Sequence, residues 1–344
     1  MNFPYITEYF LTFFQTVTIE MNDENQVIEV KFTNGDRYIG KFKDDQFHGE
    51  GEYYFANGNK YIGNFHLGEF SGKGTYHEAF NGTIIEAHFR KNQPENPVRL
   101  INTHEGSEYY GDIIDNVREG KGIFKFPKQG SSNDPSVYEG DFRNNKFHGK
   151  GKLHWDHGGS YTGEFQDGEM TGFGVYSDEE CKYEGEFLCG RKHGKGKIFY
   201  KKTGEVYEGG FRYDKKEGQG IYKYKDGSEF KGNFMEDKKH GKGELIFSDG
   251  MKYVGSFRDG LFHGKGMLYM KEGVFEGEFK EHEADGEGII EFSNGNKLIA
   301  QYRQNMKMGP ALLYIDVKGK LRAYKGEFSF NVENVNKADF GNRF

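Results

Sequence analysis

An aromatic residue, a glycine two positions on and a second aromatic two positions further recur along this chain with a period of about 23 residues. Strong copies begin at Tyr38-Gly40-Phe42, Tyr61-Gly63-Phe65, Tyr138-Gly140-Phe142, Tyr161-Gly163-Phe165, Tyr183-Gly185-Phe187, Tyr207-Gly209-Phe211, Phe230-Gly232-Phe234, Tyr253-Gly255-Phe257, Phe275-Gly277-Phe279 and Tyr324-Gly326-Phe328. Tyr109-Gly111-Ile113 is a weakened copy, and Ile85-Ala87-Phe89 and Leu298-Ala300-Tyr302 are degenerate copies that fill the two gaps, giving thirteen starts. Before the last start, the nine strong copies and the weakened one at Tyr109 are each followed by Gly-x-Gly at offsets of eleven and thirteen, as in Gly49-Glu50-Gly51 and Gly264-Lys265-Gly266. Self-similarity at this period signals a repeat array and overrides any domain count taken from the 344-residue length.

Within one repeat the aromatics and glycines alternate with polar residues, a period of two that predicts strands, two to a repeat. Asn34-Gly35, Asn57-Gly58, Asn81-Gly82, Asp226-Gly227, Asp249-Gly250 and Asn294-Gly295 separate the repeats and predict two-residue primed turns there. Hairpins joined this way form one antiparallel meander. At about 4.8 Å per strand, thirteen repeats would extend on the order of 120 Å. Glycine weakens a strand unless something must approach it closely, so Gly40 and Gly63 are expected to make room for neighbouring rings. Rings lying over glycines and over one another would then replace an enclosed core. The longer spacing between Tyr109 and Tyr138, which spans Pro127 to Pro135, is expected to be a surface excursion.

Composition closes off other classes. Charged residues make up 29% of the chain, mean hydropathy is -0.86, and no apolar run approaches the roughly 18 to 20 residues a spanning helix needs. The 51 glycines come without a Gly-X-Y period, and aromatics reach 17%, which excludes collagen and disordered low complexity. The two cysteines, Cys181 and Cys189, suit free structural thiols in a reducing compartment. Residues 1–20 lack a basic stretch of the kind that opens a secretion or import signal. Gly35 to Phe42 is the nearest approach to a phosphate loop, but Phe42 occupies the hydroxyl position and the window lies in a strand.

The unit Tyr138-Glu139-Gly140-Asp141-Phe142 through His148-Gly149-Lys150-Gly151 resembles the MORN repeat, and the resemblance runs from about Val27 to Phe328. It implies an all-β fold, an elongated single-layer antiparallel meander of about 12 to 13 MORN β-hairpins. Residues 24–328 form the array, residues 1–23 an N-terminal amphipathic helical cap over the first open edge, and residues 329–344 a polar C-terminal tail. Proteins similar to this one are cytoskeletal and ciliary scaffolds, among them radial spoke head components, or membrane-tethering modules. Some relatives carry an appended catalytic domain, for which the residues after Phe328 leave no room.

Few side chains suggest chemistry. His48, His148, His193, His240 and His263 recur just before Gly-x-Gly, one repeat apart, which is too far to share a metal, and a hydrogen bond that stabilises the turn is the expected role. Carboxylates alternate with basic residues and mark no acid–base pair, so no catalytic residue, metal or cofactor is assigned. Charge is more informative. Arg191 to Lys242 holds fifteen Lys plus Arg against eight Asp plus Glu, within a chain of net charge -7, while Tyr161 to Cys189 and Glu276 to Glu291 are acidic. Lys73, Lys121, Lys150, Lys195, Lys242 and Lys265 share one offset and predict a ladder on one face.

The resulting expectation is a non-catalytic scaffold or adaptor in a cytoskeletal assembly, most concretely a ciliary or flagellar axoneme complex such as a radial spoke head. Its partners would be other proteins of that complex, or a second copy in a homodimer, in the cytoplasm or cytoskeleton and without nucleic acid. The alternative is a peripheral membrane module whose basic patch, Lys195, Lys197, Lys202, Lys215, Lys216, Lys238, Lys239 and Lys242, meets anionic phospholipid or phosphoinositide.

Overall fold

The structure, a computed structural model, describes residues 27–128, 134–317 and 320–328. The expected N-terminal cap, the polar tail and residues 129–133 of the proline-flanked excursion lie outside the described residues. The described chain is all-β, with 26 strands and no helix. It divides into two compact units, Met1–Gly172 and Phe173–Phe344.

The first unit contains β1 (Ile28–Lys31), β2 (Arg37–Lys43), β3 (Gln46–Tyr54), β4 (Lys60–His66), β5 (Glu69–Glu78), β6 (Thr83–Arg90), β7 (Gln93–Asn102), β8 (Ser107–Ile114), β9 (Val117–Lys125), β10 (Val137–Arg143), β11 (Lys146–Trp155) and β12 (Gly159–Gln166). The unit division falls within β13 (Glu169–Ser177). The second unit continues with β14 (Cys181–Leu188), β15 (Arg191–Tyr200), β16 (Val206–Arg212), β17 (Lys215–Lys223), β18 (Glu229–Met235), β19 (Lys238–Ile246), β20 (Lys252–Arg258), β21 (Leu261–Met270), β22 (Gly273–Lys280), β23 (Glu283–Phe292), β24 (Lys297–Arg303), β25 (Met306–Val317) and β26 (Lys320–Gly326). Within each unit, successive strands pair antiparallel, as β2 does with β3, β3 with β4, and β18 with β19.

The expected packing of ring on glycine is what holds these strands. Tyr61 is fully buried, and its ring covers the glycine pair Gly63 and Gly74, where a methyl at Gly74 would lie 2.2 Å from the hydroxyl and 2.5 Å from the ring. Phe70 stacks flat on Tyr61 at 3.8 Å and 9°, while Phe65 and Phe89 meet it edge-on at 5.3 and 5.1 Å. Tyr38 with Phe47, Tyr138 with Phe147 and Tyr253 with Phe262 repeat the stack at 4.0, 3.8 and 3.7 Å. Each such pair contributes about 0.5–1.5 kcal/mol beyond its buried area.

A bulge recurs from repeat to repeat and, where the first aromatic is Tyr, gives the buried phenol a partner. In β10 and β11, Gly140 faces Gly151 but Asp141 faces His148, so Gly149 and Lys150 are extra and Gly149 takes a φ of 57°. The Tyr138 hydroxyl donates to the Asp141 carbonyl at 2.8 Å, and the Asp141 carboxylate accepts from the Lys150 amide at 3.0 Å. Tyr61, Tyr109, Tyr161, Tyr183, Tyr207 and Tyr253 likewise donate to the carbonyl three residues on. Burial without water is the main influence that pushes the phenols of Tyr109 and Tyr161 up to about 12.

The primed turns are not where the Asn-Gly pairs predict them. Asn34 keeps a negative φ, and Gly35 alone is positive at 91° in a three-residue loop closed by Phe32 N donating to Asp36 O at 2.9 Å. The Asn34 side chain instead accepts the Asp36 amide at 2.9 Å, a bond that Asn57, Asp226, Asp249 and Asn294 repeat in their own loops. The turns with two positive φ lie inside the repeats, as at Asn144-Asn145 and Tyr213-Asp214. These turns also clasp the preceding repeat. Asn145 exchanges bonds with the Arg118 backbone, as Asp214 does with Lys192 and Asp237 with Lys216.

The degenerate copies pack as the others do: Ile85 and Leu298 are buried, and Ala87 and Ala300 stand where glycine usually does. The thirteenth start differs. Tyr324 lies in β26 opposite Leu313 and is 43% exposed, and the sequence after it carries no Gly-x-Gly at the usual offset.

Candidate functional site

Because Tyr, Gly and Phe share one side of each strand, the sheet of each unit has a ring face, filled by aromatics, and an open face that carries the residues between them. On the open face of the second unit lies a trough of about 1060 Å³, whose floor includes Gly232, Gly243, Gly255, Gly266, Gly277 and Gly288. One wall is a row of cross-strand neighbours, Lys231, Glu244, Val254, Met267, Glu276 and Ile289. The other wall includes Gln219, Lys242, Lys265, Glu278 and Glu287. A smaller recess of about 580 Å³ in the first unit is lined by Arg143, His148, Lys150, Glu164 and Thr171.

The glycines provide the floor because they leave room for rings on the opposite face, so the same residues that build the core open the trough. Its side chains were legible only as the polar partners of the alternation. The acidic stretch Glu276 to Glu291 read as a block of charge, whereas the register brings Glu276, Glu278 and Glu287 together beside apolar Met267 and Ile289.

The predicted basic patch is divided. Lys195, Lys197 and Lys242 occupy the open face, and the Lys197 ammonium lies 3.3 Å from the Glu208 carboxylate. Lys215 pairs with Glu236 beside a turn, and Lys202 lies in the turn after β15, 3.2 Å from Glu180. Lys238, next to the turn at Glu236-Asp237, is exposed. Lys216 and Lys239 are on the ring face, half-buried. The Lys216 ammonium is 5.4, 5.6 and 5.8 Å from the ring centres of Tyr222, Tyr200 and Tyr207, and 3.6 Å from Asp237. Lys239 lies over Phe230 at 5.8 Å and Lys192 over Tyr183 at 5.7 Å. Within each unit the lysine ladder shares the open face as expected, but its members are not all unopposed. Lys121 meets Asp141 at 2.7 Å, which raises the ammonium's pKa, and the register sets Lys150 opposite Glu164 and Lys265 opposite Glu278.

The histidine column does not stabilise turns by its ring as expected. Nδ1 of His148, His193 and His240 is buried without a hydrogen-bond partner among the described residues. The residue across the ladder does that work instead, Asp141 for the Lys150 amide and Glu186 for the Lys195 amide at 2.9 Å. Among the described residues no three His, Cys, Asp or Glu stand close enough to hold a metal ion, and no helix is long and apolar enough to cross a membrane. Cys181 is buried and Cys189 exposed, both as free thiols.

No curated protein matches the chain. The family model described as the MORN repeat matches ten segments, residues 38–60, 61–77, 109–131, 138–160, 161–179, 183–202, 207–229, 230–252, 253–273 and 275–297. Such an array suggests a scaffold or membrane-binding role in general.

Proposed function

We propose, from the premise that this chain belongs to the MORN-repeat family, that it is a non-catalytic scaffold or adaptor of a cytoskeletal assembly, most concretely a ciliary or flagellar axoneme complex such as a radial spoke head. The observation that carries the scaffold reading is the open face of the second unit, where a recess of about 1060 Å³ combines apolar, basic and acidic walls. A surface of mixed sign with apolar residues among the charges suits a protein partner. An anionic membrane would meet the repelling carboxylates of Glu276, Glu278 and Glu287 there. The division of the basic patch also favours protein over lipid: Lys216 and Lys239 lie over rings, Lys197, Lys202 and Lys215 pair with carboxylates, and a flat leaflet cannot reach both faces. The ciliary assignment itself draws on the family resemblance.

Tagged full-length protein expressed in ciliated cells tests the reading. Retention with the axoneme after detergent extraction is the expected result. Location at the plasma membrane, together with phosphoinositide-vesicle binding at physiological salt that Lys238→Glu with Lys239→Glu abolishes, would replace it with the membrane-module reading.

A further inference from the structure

The trough of the second unit is polar along its length as well as recessed. Lys231 and Lys242 stand at the end over β18 and β19, and Glu276, Glu278 and Glu287 at the end over β22 and β23. Between them, Val254 and Met267 present apolar surface, and Val254 is 36% exposed. Neither the three carboxylates nor the two ammonium groups have an ion-pair partner among the described residues, in contrast to Glu244, which Lys252 meets at 3.3 Å. Lys265, opposite Glu278 in the register, adds a cation to the middle of the wall, and unneutralised charges of opposite sign mark the two ends of the trough and specify what would complement it.

We propose that this trough binds an amphipathic protein segment that is acidic at the end over β18–β19, basic at the end over β22–β23 and apolar between. The proposal rests on the scaffold reading and names the chemistry of the partner. Four strand spacings of about 4.8 Å separate the charged ends, roughly 19 Å, which an α-helix covers in about 13 residues at 1.5 Å each. Anionic lipid and nucleic acid match only the lysine end and are repelled at the other. A second copy brought face to face could complement the charges, but two recessed surfaces would touch only at their rims and leave the apolar floor uncovered. A convex helix fills the recess, and its apolar stripe would cover Val254 and Met267.

The test uses the full-length chain and a fluorescein-labelled helical peptide of about 16 residues with Glu in its first turn, Leu at a, d and e positions and Arg in its last turn. Fluorescence anisotropy at physiological salt should show saturable binding, weakened about tenfold or more by Glu276→Lys with Glu287→Lys. The same double variant should regain binding to a peptide whose last-turn Arg are changed to Glu, a rescue that also shows the variant is folded. Absence of binding, equal binding of uniformly acidic and uniformly basic versions, or indifference to the double variant would overturn the proposal. Self-association seen by sedimentation velocity and lost in the double variant would overturn it too, by assigning the face to a second copy. Failure of the peptide to bind while the protein remains axonemal would remove this occupant and leave the scaffold reading standing.

Discussion

The strands β2–β5 and β14–β19 obey one repeat rule and satisfy it with different chemistry. In the first region Phe47 and Phe70 lie flat on Tyr38 and Tyr61, closing the ring face with hydrocarbon. In the second the same position holds Lys192, Lys216 and Lys239, whose ammonium groups stand 5.7–5.8 Å from the centres of Tyr183, Tyr207 and Phe230. Arg118 repeats the exchange in the first unit, at 5.8 Å from Tyr109. A cation complements the negative face of an aromatic electrostatically and a flat ring covers it by dispersion and burial, so the position tolerates either one. Ring and glycine pair are common to both regions. The third member sets whether that stretch of ring face is apolar or basic.

Alkali should expose what the two regions share. The buried tyrosines keep their protons well above the value of about 10 that they have when unfolded, and Tyr109 and Tyr161 hold theirs to about 12. A group whose pKa is raised by folding stabilises fully below its unfolded pKa, so this stability is whole below about pH 10 and is lost as the pH climbs towards 12. Phenolate absorbance and loss of β circular dichroism should therefore rise together in that window. Smooth titration of the phenols with the sheet intact would contradict the buried-ring account.

Next in size is Gly74→Ala. Its new methyl would lie 2.2–2.5 Å from the Tyr61 hydroxyl and ring, and overpacking of this kind costs about 1–3 kcal/mol. Urea denaturation reads that loss. Gly68→Ala has no atom within 4 Å and adds only the strain of a positive φ, so it should cost less. Equal losses would mean that the ring is not what demands glycine.

A difference between two substitutions separates the regions directly. Phe70→Lys should retain part of the stack and cost less than Phe70→Ala, which loses about 3 kcal/mol by analogy with other buried rings. Lys216→Ala should cost about 1 kcal/mol. If Phe70→Lys is as damaging as Phe70→Ala in the same urea titration, the two chemistries are not interchangeable.

The repeat was legible because its decisive contacts are close in sequence: Tyr61 covers Gly63 and Gly74 within its own repeat. Turn type was less legible. Asn34-Gly35 carries the strongest hairpin signal yet builds a three-residue loop, since Asn34 spends its side chain on the Asp36 amide. The primed turn at Tyr213-Asp214 contains no glycine and is held in part by the bond that the Asp214 carboxylate accepts from the Lys192 amide, 22 residues away. The division of the basic patch was least legible, because Lys215 and Lys216 are neighbours in sequence but one pairs beside a turn with Glu236 and the other lies over rings.

Sequence by itself determined an all-β meander, its period and its ring-on-glycine packing, because those follow from alternation and contacts inside one repeat. Tertiary structure decided which charges share a face, which are already neutralised and where the face is recessed. Those properties belong to cross-strand neighbours some twenty residues apart, and each repeat's bulge shifts their register in a way that counting along the chain does not reveal.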